Sequence, residues 1–462
     1  MGTGGLRVLA VTADGEVVAS GQCDVEQDSR GRADTGIHEQ EPESWWVALT
    51  STMATVVDSI DVTRVSAISI DGTSGTLVCV DDTGRAVRPA LMYNDGRATN
   101  EADELNEIAA DFCDKLGYRI AASFAAAKIR WLINHEPDTI AQTRWFIHQA
   151  DYVASRLCGE RGVTDYSNAL KTCYDLVDEC WPDWMDGDRL PQRVVAPGTK
   201  VGELRGDVAN ELGLVAGIDI VAGASDGTAG FLASGARKVG DDNTTLGTTL
   251  VFKRVANALA THPDGLIYSH KLPGGFWLPG AASNTGGEWV RKDYASTDLV
   301  ELDRNAQKLF PCDHIAYPLA RTGERFPFRS SDAVGFCKTA TNDISLEYAA
   351  KLQGTAFVER LCYQTLDEAT GKSNGDVYAT GGGATSNVWM QLRSDITGRT
   401  IHKPVCPESA FGSAVLAAAG HHGDVWSAIE SMVRIEKTFE PNEEHKSKYD
   451  ELYESFKRLL NQ

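Results

Sequence analysis

The sequence lacks the long apolar runs of a membrane protein and the positive charge of a nucleic-acid-binding protein. None of its apolar segments reaches the roughly 20 residues that a transmembrane helix needs. Its N-terminus has no charged and apolar regions of the kind that form a signal peptide. Its net charge of −21 argues against a phosphate-backbone partner, because such binding needs clustered Lys and Arg. We therefore expect a cytoplasmic protein with neither a membrane nor a nucleic acid as a partner.

The ten cysteines are not arranged for metal chemistry. No Cys-x-x-Cys pair occurs, and no group of Cys and His residues has the spacing of a zinc site. Scattered thiols of this kind are typical of a cytosolic protein that keeps them reduced and partly buried. We expect none of them to bind a metal.

A complete P-loop is missing as well. Gly371, Lys372 and Ser373 match the end of that motif, but Leu366 stands where the motif requires its first glycine. This segment is better interpreted as a turn after a helix. If the protein binds a nucleotide, another part of the chain must hold its phosphates.

A chain of 462 residues is too long for a single hydrophobic core, so two domains are expected. Its apolar patterns alternate between strands and helices, which indicates an α/β protein. The predicted strands are 6–11 and 16–19, joined by a turn at Asp14 and Gly15, then 65–70, 77–80, 218–221, 250–253 and 376–380. The predicted helices are 45–60 behind Pro42, several between 100 and 159, then 231–236, 344–369 and a surface helix at 449–460.

The most informative segment is 222–230, which places Asp226 on a glycine-rich turn between a predicted strand and a predicted helix. In α/β proteins such turns face the crevice beyond the strand ends, where ligands bind. An aspartate there can act as a general base if it reaches the proton that it must take. The segment alone leaves open a second interpretation, in which Asp226 is an N-cap that accepts backbone N–H groups of the helix.

Each half of the chain also begins with a Gly/Thr loop beside a strand. Gly2 and Thr3 lie in the first loop, and Gly247, Thr248 and Thr249 form the second. Backbone N–H groups and hydroxyls in such loops hold phosphate well, so the pair suggests a duplicated fold with a ligand between its halves. The alternative is two ordinary hairpin turns.

A glycine cluster at 381–383 follows the strand 376–380 and precedes Asn387. Glycines after a strand allow a flat ligand to lie against the backbone, and an asparagine can offer its amide. By itself, the cluster is also compatible with an ordinary turn between a strand and a helix.

Taken in their order along the chain, these motifs resemble those of the FGGY carbohydrate kinases, which belong to the actin/hexokinase-like superfamily. The segments 91–98 and 411–420 agree with the resemblance, which covers roughly residues 2–425. It implies a duplicated, ribonuclease H-like α/β fold with two lobes and a central cleft. The implied lobes are a sugar-binding lobe at 1–240 and a nucleotide-binding lobe at 241–430, followed by a helical tail at 431–462.

The resemblance implies transfer of a phosphoryl group from ATP, with Mg²⁺, to a primary hydroxyl of a ketopentose. The segments 70–76, 165–171 and 268–272 look like the plant and cyanobacterial pentulose kinases, so D-ribulose is favoured over D-xylulose. Bacterial xylulokinases look less similar, because they carry a Met-His pair in the loop of Ser74. Alternatives are another pentulose, a polyol such as glycerol, or a binding protein that has lost turnover. A monomer or a homodimer is expected.

The family's functional residues can be carried over to matching positions of this chain. Asp226 matches the catalytic base, and the two Gly/Thr loops match the phosphate-binding loops. The adenosine site is matched by Gly382, Gly383 and Asn387, and the sugar site by Ser74, Lys171 and Asp95. The alternatives are that Ser74 bonds its own backbone, that Lys171 is solvated, and that Asp95 and Arg97 form a structural ion pair.

One departure from the family concerns the first phosphate motif, Asp-x-Gly-Thr at the end of the first strand. Met1 stands at the x position of this motif. The aspartate and the strand before it are therefore expected to be missing, which leaves the central sheet with exposed edge groups. A truncated start is the favoured explanation, and a weakened kinase is the alternative.

Overall fold

The computed structural model describes residues 1–25, 36–338 and 343–460. Strands and helices alternate in it, as the sequence predicts for an α/β protein. The strands are β1 (Gly5–Val11), β2 (Val17–Asp24), β3 (Glu39–Gln40), β4 (Ala67–Ser69), β5 (Leu77–Val80), β6 (Ala90–Leu91), β7 (Trp145–His148), β8 (Val163–Asp165), β9 (Arg193–Val195), β10 (Lys200–Glu203), β11 (Asp219–Val221), β12 (Asp242–Leu246), β13 (Leu250–Arg254), β14 (Tyr268–Lys271), β15 (Trp277–Ser283), β16 (Ala316–Tyr317), β17 (Phe336–Cys337), β18 (Val377–Thr380), β19 (Ile401–Pro404) and β20 (Ile435–Phe439).

Most of the helices are short, and α12 is much longer than the rest. Within the described residues, no helix is both long enough and apolar enough to cross a membrane. The helices are α1 (Pro42–Val57), α2 (Thr99–Ile108), α3 (Ala110–Leu116), α4 (Ala125–His135), α5 (Pro137–Gln142), α6 (Gln149–Cys158), α7 (Tyr166–Ala169), α8 (Gly206–Leu212), α9 (Asp226–Leu232), α10 (Glu288–Asp293), α11 (Leu299–Gln307), α12 (Ile344–Thr370), α13 (Asn387–Thr397), α14 (Ser409–Ala417), α15 (Ala419–His422), α16 (Val425–Met432) and α17 (Lys446–Leu460).

The chain divides into two compact units, and neither is one continuous stretch of sequence. The first unit consists of Met1–Ala233, His270–Phe276 and Cys406–Val433. The second consists of Ser234–Ser269, Trp277–Val405 and Arg434–Gln462. The lobes predicted from the sequence are continuous, whereas the first unit recruits α14, α15 and α16 from far along the chain.

The first unit contains a three-stranded sheet in the order β10-β11-β4. Strand β11 pairs in parallel with β4, with Ile220 opposite Ile68, and antiparallel with β10. Since parallel strands end at the same edge of a sheet, the loops that follow β4 and β11 leave it side by side. These are the loop of Ser74 and the turn of Asp226.

Strands β1 and β2 form a separate two-stranded sheet. They pair antiparallel across the predicted turn, where Gly15 has a φ of +88°, so the predicted hairpin is confirmed. Helix α1 begins with Pro42 at its first turn, where proline's missing N–H costs nothing. It buries Trp45 and Leu49 in the core of this unit.

A seven-stranded sheet in the order β14-β15-β13-β12-β18-β19-β20 dominates the second unit, with β14 lying across the division between the units. At its centre, β12 pairs in parallel with β18 and antiparallel with β13. Helices α12 and α13 are joined by an ion pair between Glu359 and Arg393, whose side chains are both fully buried. The predicted surface helix is α17, which buries Tyr449, Tyr453 and Phe456 on one face.

The helix after the Asp226 turn was predicted at 231–236, and that placement is wrong. Helix α9 already begins at Asp226 and ends at Leu232. Ser225 takes the N-cap position, where its carbonyl oxygen accepts the N–H of Ala229 at 2.9 Å. The predicted segment instead contains Gly235 with a φ of +94°, a conformation that ends helices.

Candidate active site

Asp226 is the first residue of α9, and its side chain is half-buried. Its backbone N–H donates to the carbonyl oxygen of Gly72 at 2.8 Å. Its carboxylate oxygen Oδ1 accepts the N–H of Gly227 at 2.7 Å. Ser225, not Asp226, occupies the N-cap position, although the Asp226 carboxylate does accept one backbone N–H of the helix.

The loop of Ser74 and the turn of Asp226 touch through glycines that leave no room for a side chain. A Cβ atom on Gly223 would lie 1.8 Å from the carbonyl oxygen of Ile70. The N–H of Gly72 donates to the carbonyl oxygen of Ala224 at 3.3 Å. Together with the Asp226–Gly72 hydrogen bond, this approach fixes the two segments to each other.

A third segment, 165–171, is bonded to the same turn. The N–H of Ser225 donates to the hydroxyl of Ser167 at 2.8 Å, and that hydroxyl donates to Asp165 Oδ1 at 2.5 Å. Asp165 also caps α7 by accepting the N–H of Ser167 at 2.8 Å. Its carboxyl is buried, and burial raises its pKa. The segments 70–76 and 165–171 are therefore both hydrogen-bonded to the turn of Asp226.

Lys128, on α4, is hydrogen-bonded to the loop of Ser74. Sequence reasoning missed this residue. Its side chain is fully buried. Its ammonium donates to the carbonyl oxygens of Met92 at 2.7 Å, Gly75 at 2.8 Å and Ser123 at 3.3 Å. Burial lowers the pKa of Lys128 to about 7. A lysine that directly follows three alanines in a predicted helical stretch was the signal that could have found it.

Ser74 and Lys171 both lie at this loop. The hydroxyl oxygen of Ser74 is buried and has no hydrogen-bond partner among the described residues. A Cβ atom on Gly75 would lie 3.7 Å from Cγ of Lys171. The ammonium of Lys171 lies 4.1 Å from the centre of the Phe124 ring. The structure thus places Lys171 next to Gly75, the residue after Ser74, and contact of Ser74 and Lys171 with a sugar stays a prediction.

Asp95 is part of an ion pair whose donors surround its carboxylate. Arg97 donates to Oδ1 through Nε at 2.8 Å and to Oδ2 through a guanidinium NH2 at 2.8 Å. The N–H of His38 donates to Oδ2 at 2.7 Å, and Arg97 also donates to Glu39 at 2.7 Å. Asp95 is 1% exposed. This geometry favours the structural alternative, and sugar binding by Asp95 stays a prediction.

Gln149, the first residue of α6, is hydrogen-bonded to the loop of Ser74, and His148 is the N-cap of the same helix. The side-chain oxygen of Gln149 accepts both the N–H and the hydroxyl of Thr73 at 2.9 Å. The ring nitrogen Nε2 of His148 lies 2.9 Å from the hydroxyl of Thr172. Burial lowers the pKa of His148 to about 4, so its ring is neutral at neutral pH.

The first Gly/Thr loop lies next to Asp71. The N–H of Gly2 donates to the carbonyl oxygen of Gly5 at 2.9 Å, which closes the loop. The carbonyl oxygen of Thr3 accepts the side-chain amide of Gln40 at 2.7 Å. The Met1 ammonium lies 2.5 Å from Asp71 Oδ1. The phosphate-binding role of Gly2 and Thr3 stays a prediction.

In the second unit, Gly247, Thr248 and Thr249 form the turn between β12 and β13. The N–H of Gly247 donates to the carbonyl oxygen of Thr249 at 3.0 Å, and Thr248 is exposed. A second glycine pair, which sequence reasoning missed, packs against this turn. A Cβ atom on Gly286 would lie 2.5 Å from the carbonyl oxygen of Thr248, and the N–H of Gly287 donates to Gly247 at 2.8 Å.

The glycine cluster 381–383 lies against Leu246, directly before the same turn. A Cβ atom on Gly383 would lie 2.4 Å from Leu246 Cδ2, whereas one on Gly382 would meet nothing within 4 Å. Asn387 is exposed as the first residue of α13, behind the N-cap Ser386. The structure therefore places the predicted adenosine and phosphate segments side by side, and their ligands stay predictions.

Comparison with known families matches two models that together cover most of the chain. The N-terminal domain of the FGGY family of carbohydrate kinases matches residues 1–233. The C-terminal domain of the same family matches residues 243–421.

Relatives and solved structures agree with this match. The xylulose kinase of Streptomyces rubiginosus is 30% identical over 88% of this chain and 84% of its own length. The xylulose kinase of Escherichia coli K12 is 27% identical over 100% of this chain and 98% of its own length. A crystal structure titled as a xyloylose kinase from Brucella ovis aligns with a TM-score of 0.87 at 24% identity, over 99% of this chain and 97% of that one.

Proposed function

Because this chain belongs to the FGGY family of carbohydrate kinases, we propose that it transfers the γ-phosphoryl group of ATP to a primary hydroxyl of a ketopentose. Its fold is the two-domain, actin/hexokinase-like α/β fold of that family. The observation that carries the proposal is Asp226, a half-buried carboxylate whose backbone is hydrogen-bonded to the loop of Ser74.

Phosphoryl transfer needs little covalent work from the protein, but it needs a base for the hydroxyl proton and donors for the phosphates. We assign the base to Asp226. As the sugar oxygen attacks the γ-phosphorus, its proton passes to the Asp226 carboxylate, and the bond to ADP breaks. The turn Gly247–Thr248–Thr249 supplies backbone N–H groups and hydroxyls of the kind that hold phosphate oxygens.

Cationic and neutral hydrogen-bond donors lie at the loop of Ser74, and such donors suit a substrate that is rich in hydroxyls. Ser74 offers a buried hydroxyl that has no hydrogen-bond partner among the residues that the structure describes, and sugar hydroxyls readily satisfy such groups. Lys171 lies beside Gly75, the next residue of this loop. We assign both residues to sugar binding, and we assign Gly382, Gly383 and Asn387 to the adenosine of ATP.

Magnesium is the metal that this chemistry normally uses, and it supplies charge neutralisation at the phosphates. Among the described residues, no group of three or more His, Cys, Asp and Glu side chains is placed to hold a metal. Mg²⁺ usually binds through one or two carboxylates together with substrate phosphates and water. In that mode the phosphates of ATP and water molecules would supply most of the ligands of the metal.

Two ketopentoses are candidate substrates. D-ribulose is favoured by the loop at 70–76, where this chain has no Met-His pair. D-xylulose is favoured by the printed names of its relatives, which include xylulose kinases. The two sugars differ only in the configuration of a hydroxyl, so a few hydrogen bonds to the loop of Ser74 decide between them.

The test is ADP release measured with D-ribulose, D-xylulose and glycerol, each with ATP and Mg²⁺. We expect turnover with a ketopentose and much less with glycerol. Asp226→Ala should reduce kcat by at least about 1000-fold while ATP binding, measured by calorimetry, is retained. Asp219→Asn is the control, because Asp219 lies on β11 of the same unit and its side chain is 43% exposed.

Three results would count against the proposal. Near-normal turnover by Asp226→Ala would remove it from the role of base. Binding of sugar and ATP without ADP release by the unmodified chain would favour a binding protein over a kinase. A preference for glycerol would show that a ketopentose is not the substrate.

A further inference from the structure

Glu324 is a buried carboxylate of the second unit that forms no ion pair in the described part of the chain. It is 3% exposed. A charge removed from water is costly unless other groups replace the lost hydration, and a cation usually does so. At Glu324 six hydrogen-bond donors take this place, and all of them are neutral groups. The carboxylate therefore holds these donors together rather than pairing with a cation.

Four of the donors come from three consecutive residues at the end of β15. The hydroxyls of Ser283 and Thr285 donate to Glu324 Oε2 at 2.9 and 2.8 Å. The N–H of Asn284 donates to Oε1 at 2.6 Å, and the N–H of Thr285 donates to Oε2 at 3.3 Å. A single side chain thus fixes both the backbone and the side chains of this short stretch.

Two further donors complete the set and make a carboxylate necessary at this position. The hydroxyl of Tyr317 donates to Oε2 at 3.0 Å, and the N–H of Arg325 donates to Oε1 at 2.9 Å. Three of the six donors are backbone N–H groups, which cannot turn to become acceptors. An ionised carboxylate accepts at both of its oxygens, whereas an amide would place its own N–H groups against some of these donors.

The stretch continues from this carboxylate to the turn 247–249, and we call residues 283–287 the support segment. A Cβ atom on Gly286 would lie 2.5 Å from the backbone of that turn. The N–H of Gly287 donates to the carbonyl oxygen of Gly247 at 2.8 Å. Because the contact leaves no room for a side chain, a displacement of the support segment displaces the turn as well. All of these residues belong to the second unit.

The aim of the turn matters for the role that we assign to it. Backbone N–H groups stabilise a phosphate most when they already point at its place before it binds, since no energy is then lost in turning them. The turn has a hydrogen bond of its own, in which the N–H of Gly247 donates to the carbonyl oxygen of Thr249 at 3.0 Å. The support segment adds the contacts that orient the turn relative to the rest of the unit.

We propose that Glu324 is a positioning residue for the phosphates of the nucleotide. Its carboxylate fixes the support segment, and the support segment fixes the turn 247–249. The inference rests on the proposed function, in which this turn binds the phosphates of ATP. Glu324 acts through the turn and does not itself touch a substrate.

The test is Glu324→Gln, which replaces the carboxylate by an amide of the same size. We expect KM for ATP, and Kd for ATP with Mg²⁺ measured by calorimetry without sugar, to rise about tenfold, while KM for the sugar stays within about twofold. A purely structural role would not give this result. A chain that folds only in part lowers the concentration of active enzyme and leaves both KM values unchanged.

Thr285→Val serves if Glu324→Gln does not fold, because it removes one hydroxyl donor and keeps the shape of the side chain. We expect it to raise KM for ATP about threefold. Asp303→Asn is the matched control. Asp303 accepts the hydroxyl of Tyr348 at 2.9 Å, as Glu324 accepts that of Tyr317, but it lies on α11. Its kinetic constants should equal those of the unmodified chain.

Hydrogen exchange gives a second readout, which needs neither nucleotide nor turnover. In Glu324→Gln, peptides that cover 244–252 should exchange roughly tenfold faster than in the unmodified chain, because the turn loses its support. Peptides that cover α13 (Asn387–Thr397) should exchange at the rate of the unmodified chain.

Three results would overturn the proposal. The first is an unchanged KM for ATP in a folded Glu324→Gln chain, or in Thr285→Val if the former does not fold. The second is an equal rise of KM for ATP and for the sugar. The third is unchanged exchange at 244–252. Failure of the unmodified chain to bind ATP would instead count against the proposed kinase function, and the exchange experiment would still test the link between Glu324 and the turn.

Discussion

The backbone N–H of Asp226 donates a 2.8 Å hydrogen bond to the carbonyl oxygen of Gly72. This bond ties the proposed base to the loop that carries Ser74, so the two cannot move independently over more than small distances. Phosphoryl transfer depends on alignment to within fractions of an ångström. Residues that hold this loop are therefore expected to affect catalysis without touching a substrate.

Lys128 is such a positioning residue. Lys128→Met removes the donor for the carbonyl oxygens of Gly75 and Met92. The loop of Ser74 then loses the hydrogen bonds that hold it in place. We expect KM for the sugar to rise about tenfold, KM for ATP to stay within twofold, and kcat to fall less than KM rises. Steady-state kinetics with each substrate varied in turn provide the measurement.

Lys200→Met is the matched control for that change, because Lys200 lies exposed on β10 and pairs with Glu203 and Asp219 at the surface. Its kinetic constants should equal those of the unmodified chain. An unchanged KM for the sugar in Lys128→Met would show that Lys128 does not position the loop of Ser74.

Helix α14 crosses α9 at a glycine. A Cβ atom on Gly412 would lie 1.9 Å from the carbonyl oxygen of Ala229, so Gly412→Ala forces the helices apart. We expect the free energy of unfolding of the first unit to fall by roughly 1–3 kcal/mol, measured by urea denaturation. Gly230→Ala, on α9 itself, meets nothing within 4 Å and should leave stability equal or higher by up to about 1 kcal/mol. Equal effects of the two substitutions would contradict this account.

Substitutions at two glycines of the cluster 381–383 can distinguish an effect on ATP binding from an effect on folding. Gly382 has open space where a Cβ would lie, whereas one on Gly383 would meet Leu246. Gly382→Val should raise KM for ATP about tenfold or more at an unchanged thermal midpoint, because the side chain fills space proposed for adenosine. Gly383→Val should lower the thermal midpoint itself. Normal ATP kinetics in a stable Gly382→Val chain would place the nucleotide elsewhere.

His148 should make the first unit sensitive to acid. Its pKa is lowered to about 4 in the folded chain, against about 6.5 when unfolded. Between these values the unfolded chain binds a proton that the folded chain does not, so stability falls as pH drops from 6.5 to 4. The loss at the lower end is on the order of 3 kcal/mol, at about 1.4 kcal/mol for each pH unit.

Unfolding by urea at a series of pH values between 4 and 7 measures this effect. His148→Gln should flatten the decline, because glutamine does not titrate. A decline of the same slope in His148→Gln would assign the acid sensitivity to other groups.

The motifs that could be predicted from the sequence are those whose residues are neighbours in the chain. The turn of Asp226, the Gly/Thr turn at 247–249 and the glycine cluster each form local structure, so spacing and residue type were enough to find them. The placement of helix α9 failed, because Gly227 and Gly230 disfavour helix on local propensity while packing against α14 stabilises it.

The supports of the site could not be predicted, since they depend on residues far apart in sequence. Lys128 reaches Gly75 and Met92, and Gly286 packs on Thr248. Each is an unremarkable residue in its own segment. Only the folded chain shows that Lys128 is buried, and that a glycine is needed where one backbone passes close to another.

The contact between α9 and α14 also bears on how the protein is made. The first unit is not closed until residues 406–433 have left the ribosome, after the whole of 234–405 has been synthesised. The second unit likewise waits for Arg434–Gln462. Neither unit can finish folding while the middle of the chain is being synthesised. Contacts between residues so far apart in sequence also form slowly. Completion of both units therefore waits for the synthesis of residues 406–462.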